Sequence, residues 1–125
     1  MANRDLVKSY TAEGAIPAAR IVKFGSADYG VLQAAAVGDF LIGVSLPNLA
    51  SATGESCDVI HEGIAELQIG GNVTRGALLT SDASGQGVVA APAAGTNNRV
   101  IGVALVSGVS GDIIPVLITP GTFQG

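Results

Sequence analysis

Two stretches of the chain spell nearly the same pattern. Tyr29 to Leu46 runs Tyr-Gly-Val-Leu-Gln-Ala-Ala-Ala-Val-Gly-Asp-Phe-Leu-Ile-Gly-Val-Ser-Leu, and Gln86 to Leu105 repeats its order of Gly, apolar and Ala positions. Gly30 and Gly54 stand 57 positions before Gly87 and Gly111, whereas Ile42-Gly43-Val44 stands 59 before Ile101-Gly102-Val103. The second copy therefore carries two additional residues, which this alignment places in a loop around Thr96-Asn97-Asn98. A period of this length, in units too small to bury a core alone, predicts paired modules and a scaffold role rather than one evolved pocket.

A chain of 125 residues is one compact domain or two closely packed halves, because two independent domains of half that size would be marginal. Apolar residues make up 48% of it, but with three Phe, two Tyr and no Trp the core must be filled by Val, Ile, Leu and Ala. Eighteen glycines and 13% charged residues would suit disorder if β-branched residues were scarce, yet the apolar runs are regularly spaced and rich in Val and Ile. The net charge of −4, with six scattered basic residues, argues against a nucleic-acid partner, whose phosphates need clustered Lys and Arg. Cys57 has no second cysteine to pair with and reads as a small buried hydrophobe. The opening Met-Ala-Asn-Arg-Asp-Leu-Val-Lys-Ser-Tyr has charges where an export signal needs an apolar stretch. No segment offers the ~18 to 20 consecutive apolar residues that span a bilayer, so no membrane partner is expected.

Apolar runs of four to seven residues bounded by Gly, Asp, Asn or Ser predict an all-β chain. Arg20 to Phe24, the turn Gly25-Ser26-Ala27-Asp28 and Gly30 to Ala34 form a hairpin, matched by Ala77 to Thr80, the turn Ser81 to Gly85 and Gly87 to Ala90. An Ala-rich link then leads to a buried strand, Phe40 to Val44 or Val100 to Leu105. A glycine inside each of these strands implies a bulge or a close backbone approach. Cys57 to His61 and Ile113 to Ile118 close the copies, with Pro115 expected at an edge, a bulge or a first paired position. Gly63 to Ile69 alternates like a separate half-buried strand. The expected architecture is a compact small β-barrel or sandwich built from two pseudo-repeated modules. Residues 1–16 are an extended N-terminal arm, and residues 17–125 are one β-domain with repeats at 17–69 and 73–125. The arm has two readings, an edge strand of the protein's own sheet or a segment that adds to a neighbouring chain.

No constellation carries chemistry. The lone His61 shares its strand face with Val59 and Gly63, while Asp58, Ile60 and Glu62 point the other way, so it reads as solvated strand polarity. No Cys-x-x-Cys, His-x-x-x-His or Gly-x-Ser-x-Gly is present, and Ser107 to Gly111 resembles the last in composition alone. Gly70-Gly71 and Gly85-Gln86-Gly87 lack the Gly-Lys-Ser/Thr ending of a phosphate loop. Asp28, Asp39, Glu55, Asp82 and Asp112 mostly sit in turns, where Asp bonds its own backbone. We therefore expect no catalytic, cofactor-binding or metal-binding residue and no enzyme.

A hairpin with a small polar turn, an Ala-rich link, an Ile-Gly-Val strand and a Gly-Asp before the last strand resembles the head decoration, or capsid cement, proteins of tailed bacteriophages. The resemblance is clearest at Arg75 to Asp82, Ile101 to Ala104 and Gly111 to Val116, and the opening Leu6-Val7-Lys8-Ser9-Tyr10 looks like the arm of such proteins. One module is similar in plan to the head decoration protein of phage lambda, from which the duplication departs. The resemblance implies a structural virion protein, made in the host bacterial cytoplasm, that self-associates as a homotrimer. It implies binding to the outer surface of the expanded capsid, where the protein clamps neighbouring major capsid subunits without cofactor. Capsid binding is then expected of Leu6, Val7, Lys8 and Tyr10, and deletion of Ala2 to Tyr10 is expected to abolish it without unfolding the body. The alternatives are another virion β-module, such as a tail or fibre component, or a glycan-binding β-domain.

Overall fold

The computed structural model describes residues 6–46, 50–92 and 94–124, and among them the chain is all strand and loop with no helix. The nine strands are β1 (Leu6–Ala12), β2 (Ile21–Phe24), β3 (Gly30–Gln33), β4 (Leu41–Ser45), β5 (Ser56–Gln68), β6 (Leu78–Ser81), β7 (Gly87–Val89), β8 (Asn97–Ala104) and β9 (Ile113–Gln124). They hydrogen-bond in the order β1-β3-β2-β4-β5-β9-β8-β6-β7, with a further β1–β5 pairing that closes the first five into a barrel. Side chains alternating along the strands fill that barrel: Tyr10, Ala12, Ile16, Val22, Val31, Ile42, Cys57 and Val59 form one cluster.

β1 lies where an arm was expected. It pairs antiparallel with β5 from Val7↔Ile60 to Thr11↔Ser56 and parallel with β3 at Thr11↔Gly30 and Ala12↔Val31. Five residues of the expected arm, Met1 to Asp5, lie outside the described residues. β5 is likewise longer than the sequence suggested. The segments expected as two strands, Cys57 to His61 and Gly63 to Ile69, run through Gly63 as one, because that glycine takes a positive φ of 104° and turns the strand without ending it.

The two halves of β5 serve different partners. Its first half walls the first barrel, and its second half pairs with β9 from Gly63↔Ile118 to Gln68↔Ile113. A second ring of strands follows through β8, β6 and β7, and a parallel bridge Ile69↔Gly87 joins β7 back to the chain just beyond β5. Pairings recur at the spacing of 57: Val7↔Ile60 matches Ile64↔Leu117, and Thr11↔Ser56 matches Gln68↔Ile113. The bridge Ile16↔Ser51 recurs as Val73↔Gly108. In register, β1 thus corresponds to the second half of β5. The hairpins shift the alignment by one, because Phe24 pairs with Val31 but Ser81 pairs with Gly87. Gly87 therefore occupies the place of Val31 rather than Gly30, the first turn being one residue longer. Asn97 and Asn98, expected in a loop, belong to β8, where they pair with Gln124 and Phe123 in a ribbon that the first module lacks.

Glycine sits inside β4 and β8 because backbone passes over it. A Cβ on Gly43 would collide with the carbonyl of Ile60, and one on Gly102 with that of Leu117, beside register shifts in both sheets.

Leu67, Ile69, Val73, Leu79, Ile101, Ile114 and Val116 fill the second ring, and its end is lined by Ala65, Ala104 and Ile118. The outer face of the first barrel, with Ile21, Val44 and Ile60, packs against that end in one continuous cluster. Ile21 and Val44 are fully buried there, each contributing roughly 1.5–3 kcal/mol by the area it removes from water. Backbone bonds fasten the junction: Ile21 N–H donates to the Gly85 carbonyl at 2.8 Å, and Arg20 reaches Gln68 Oε1 and the Ser84 carbonyl, both at 2.9 Å.

Candidate functional site

The first barrel has the same end as the second, but the chain does not cover it. Lys8 and His61 stand there in the places of Ala65 and Ile118, while Ser45, in the place of Ala104, is buried with its hydroxyl donating to the Pro17 carbonyl at 2.9 Å. The matching pairs are Lys8↔Val59 with Ala65↔Val116, and the Ser45 N–H to Arg20 carbonyl bond with that from Ala104 to Ala77. A polar rim replaces an apolar one where water replaces a packed sheet.

Alternation along β1 builds this rim. Ala12 is buried, Tyr10 half-buried and Lys8 exposed on the inward-facing side, while Ser9 on the outer side donates to Asp58 Oδ1 at 2.6 Å across the strand pair. The Tyr10 hydroxyl lies 2.7 Å from His61 Nε2, and their rings meet at 5.4 Å between centroids with a 54° tilt. His61 is therefore hydrogen-bonded to the neighbouring strand rather than simply solvated. The ammonium of Lys8 sits 5.9 Å from the Tyr10 ring centroid and 5.2 Å from that of Tyr29, within cation–π reach of both. Burial, followed by the nearby Tyr29, pushes the Tyr10 hydroxyl above its ordinary pKa.

Phe24 at the end of β2 and Tyr29 in the following turn complete the rim, 58% and 68% exposed. Lys8, Tyr10, Phe24 and the 25–29 turn line one groove. The turn is held tightly. Gly25 N–H donates to the Gly30 carbonyl at 2.8 Å, Thr11 N–H donates to that of Tyr29 at 2.8 Å, and Tyr29 adopts a left-handed φ of 62°. Glu13, just past β1, accepts the Ser26 N–H at 2.8 Å, the Ser26 hydroxyl at 2.9 Å and the Ala27 N–H at 3.0 Å. Those bonds, the backbone ones first, hold its carboxyl below the ordinary carboxylate pKa.

Of the four residues expected to bind a partner, Lys8 and Tyr10 stand on this rim. Leu6 lines an adjoining groove with Ile42, His61 and Ile118, and Val7 alternates onto the outer face. Phe24, Tyr29 and Glu13 were not anticipated. A signal was available: the chain has only five aromatic residues, and Tyr10, Phe24, Tyr29, Phe40 and Phe123 all lie at least partly at the surface. Aromatic side chains left out of a core are the type enriched in protein interfaces. Among the described residues no group of three or more His, Cys, Asp or Glu side chains could hold a metal ion. Cys57 is buried in the first barrel, with its thiol pKa raised chiefly by burial. The rim offers aromatic faces, one cation and a groove, which suit docking against another macromolecule.

A family model for phage cement protein matches residues 1–118. No curated protein matches the chain. Among solved structures, it is similar to the head fiber gp8.5 N base in bacteriophage phi29, with a TM-score of 0.70 and 16% identity over 98% of this chain and 100% of that one. At that identity the likeness is one of fold.

Proposed function

The chain belongs to the phage cement protein family and is a structural virion protein, and from that premise we propose that it binds the outer surface of the expanded capsid through the open end of its first barrel. There it clamps neighbouring major capsid subunits and self-associates as a homotrimer, after synthesis in the host cytoplasm. One observation carries the choice of surface. The corresponding end of the second module is covered by a sheet face of the first, so this end is shaped to accept a sheet, and in the first barrel it is open and rimmed by Lys8, Tyr10, Phe24 and Tyr29. Leu6 and Val7 flank the contact. A docked rim would bury two exposed aromatic side chains, the residue type that dominates binding energy in interfaces.

The test is co-sedimentation with expanded, decoration-free heads, scored for saturable binding and for protection against heat rupture. Wild-type protein should saturate and protect, and Tyr29→Ala and Lys8→Glu should each weaken binding by about tenfold or more, as interface anchors do. Binding that ignores both substitutions would move the contact elsewhere on the molecule. A second reading, a base that carries an appendage on the head, is favoured by the fold shared with the phi29 head fiber N base. Saturation at a few sites per head, without protection, would select it.

A further inference from the structure

The 25–30 turn has no side chain of its own where one is most needed. Cβ atoms on Gly25 and Gly30 would both collide with the Glu13 carboxylate, which fills the turn and takes two of its backbone N–H groups. The second module fills the same turn from the other side. Its counterpart of Glu13 is Gly70: Glu13 N–H donates to the Val31 carbonyl, and Gly70 N–H donates to that of Gly87. Its counterpart of Gly25 is Asp82: Gly25 N–H donates to the Gly30 carbonyl, and Asp82 N–H donates to that of Gln86. Asp82 supplies the carboxylate from within the turn, accepting the Ser84 N–H at 2.8 Å and the Gln86 N–H at 3.0 Å. A Cβ on Gly70 would meet that carboxylate and Gln86. Carboxylate and glycine have thus exchanged places between the modules. With the glycine at position 70, the position matching Gly30 carries a full side chain, Gln86.

The exchange matters because the two turns do different jobs. The second turn is pressed against Ile21, Ala34 and Gln33 of the first barrel, and packing holds it. The first turn stands in water and carries Tyr29 in a left-handed conformation that bulky residues avoid, which persists only where surroundings fix it. A carboxylate anchored outside the turn ties it to the end of β1, whereas one within the turn braces only the turn itself.

We propose that Glu13 is the positioning residue of the docking end, clasping the 25–30 turn to β1 so that Phe24 and Tyr29 are preset for the partner. This rests on the docking reading above. Presetting removes the ordering of two aromatic side chains from the binding step, so its loss should weaken affinity by about 10- to 100-fold.

The experiment compares wild type, Glu13→Ala, Glu13→Gln, the double variant Glu13→Gly/Gly25→Asp, Asp82→Ala and Tyr29→Ala. Each is measured for affinity to expanded heads and for its urea unfolding midpoint. Glu13→Ala should lose the stated affinity, and Glu13→Gln, which keeps the shape and one acceptor oxygen, should lose less. The double variant carries the second module's own solution, which braces the turn without tying it to β1, so it should recover the unfolding midpoint while keeping the affinity loss of Glu13→Ala. Asp82→Ala should lower the midpoint while leaving affinity unchanged, separating presentation from stability. Wild-type affinity in Glu13→Ala alongside weak binding by Tyr29→Ala would overturn the clasp and leave the docking reading standing. A double variant that binds like wild type would also overturn it, because a carboxylate braced within the turn would then serve as well as one that ties the turn to β1. Wild-type affinity in Tyr29→Ala would remove the docking reading and the clasp together.

Discussion

A methyl group added at Gly102 would run into the Leu117 carbonyl, and one at Gly43 into that of Ile60. Relief requires the neighbouring strand to move, so Gly43→Ala and Gly102→Ala should each lower stability by roughly 1–3 kcal/mol, the usual range for overpacking. Urea unfolding with an unchanged slope would register this as a shifted midpoint, and an unshifted one would mean that the strands slide freely. Thr80 has the opposite fault. Its hydroxyl is buried with no hydrogen-bond partner among the described residues, so Thr80→Val, which keeps the shape, should raise stability by about 1 kcal/mol. Glu13 adds a pH dependence of definite sign. Its folded pKa lies below the ordinary 4.5, so its contribution to stability is fully present above 4.5 and is lost as pH falls through the depressed value. Wild type should therefore lose stability in that acid window more steeply than Glu13→Gln, and parallel curves would count against the clasp.

Between strands, β1 takes the first of the two readings of the opening segment, a strand of the protein's own sheet, but paired on both sides rather than at an edge. It supplies one wall of a five-stranded barrel and places Tyr10 and Ala12 inside, and the outer face of that barrel in turn covers the end of the second module. Removing residues 1–12 should therefore unfold the chain rather than release a tail, visible as lost amide dispersion in NMR spectra. A folded, dispersed truncation would favour the other reading, a segment that adds to a neighbouring chain. The sequence left both readings open because only every second residue of β1 faces inward and its partner β5 lies some 50 residues away, a pairing that no local pattern announces. By contrast β2, β3, β6 and β7 were legible, each a short apolar run beside a turn of Gly, Ser and Asp. The glycines in β4 and β8 were legible for the same reason, and the bulges beside them follow the expected geometry. The site was half legible. Lys8 and Tyr10 entered through the resemblance of the opening segment to the arm of capsid cement proteins, but Phe24 read as an ordinary strand residue. Glu13 escaped notice because its meaning lies in the exchange with Gly70 and Asp82, which appears only once the hairpins are aligned by register.

At the scale of the molecule, two modules of one pairing pattern end differently. Ala65 and Ile118 sit under a sheet, and Lys8 and His61 stand in their places under water. Meanwhile the outer face of the second module, matching the face that covers Ala65 and Ile118, is left partly open, with Leu117 39% exposed where Ile60 is 6%. The chain thus carries an uncovered end and an uncovered aliphatic face, the two halves of a junction it already makes once within itself. Repeated between chains, that junction would be head-to-tail, giving rings or open filaments. Lys8 and His61 oppose it, because seating an ammonium and a hydrogen-bonded imidazole under an aliphatic sheet leaves polar groups without water. Terminal units of repeat proteins use polar faces to the same effect. Exchanging the two residues for their counterparts should release the restraint: Lys8→Ala/His61→Ile should form concentration-dependent head-to-tail species in sedimentation velocity runs made without capsids. Adding Leu117→Lys, which places a charge on the aliphatic face, should abolish those species. If the double variant sediments like wild type at every concentration, the polarity of the open end has no part in restraining head-to-tail association. If Leu117→Lys leaves its oligomers intact, the chains meet through some other surface.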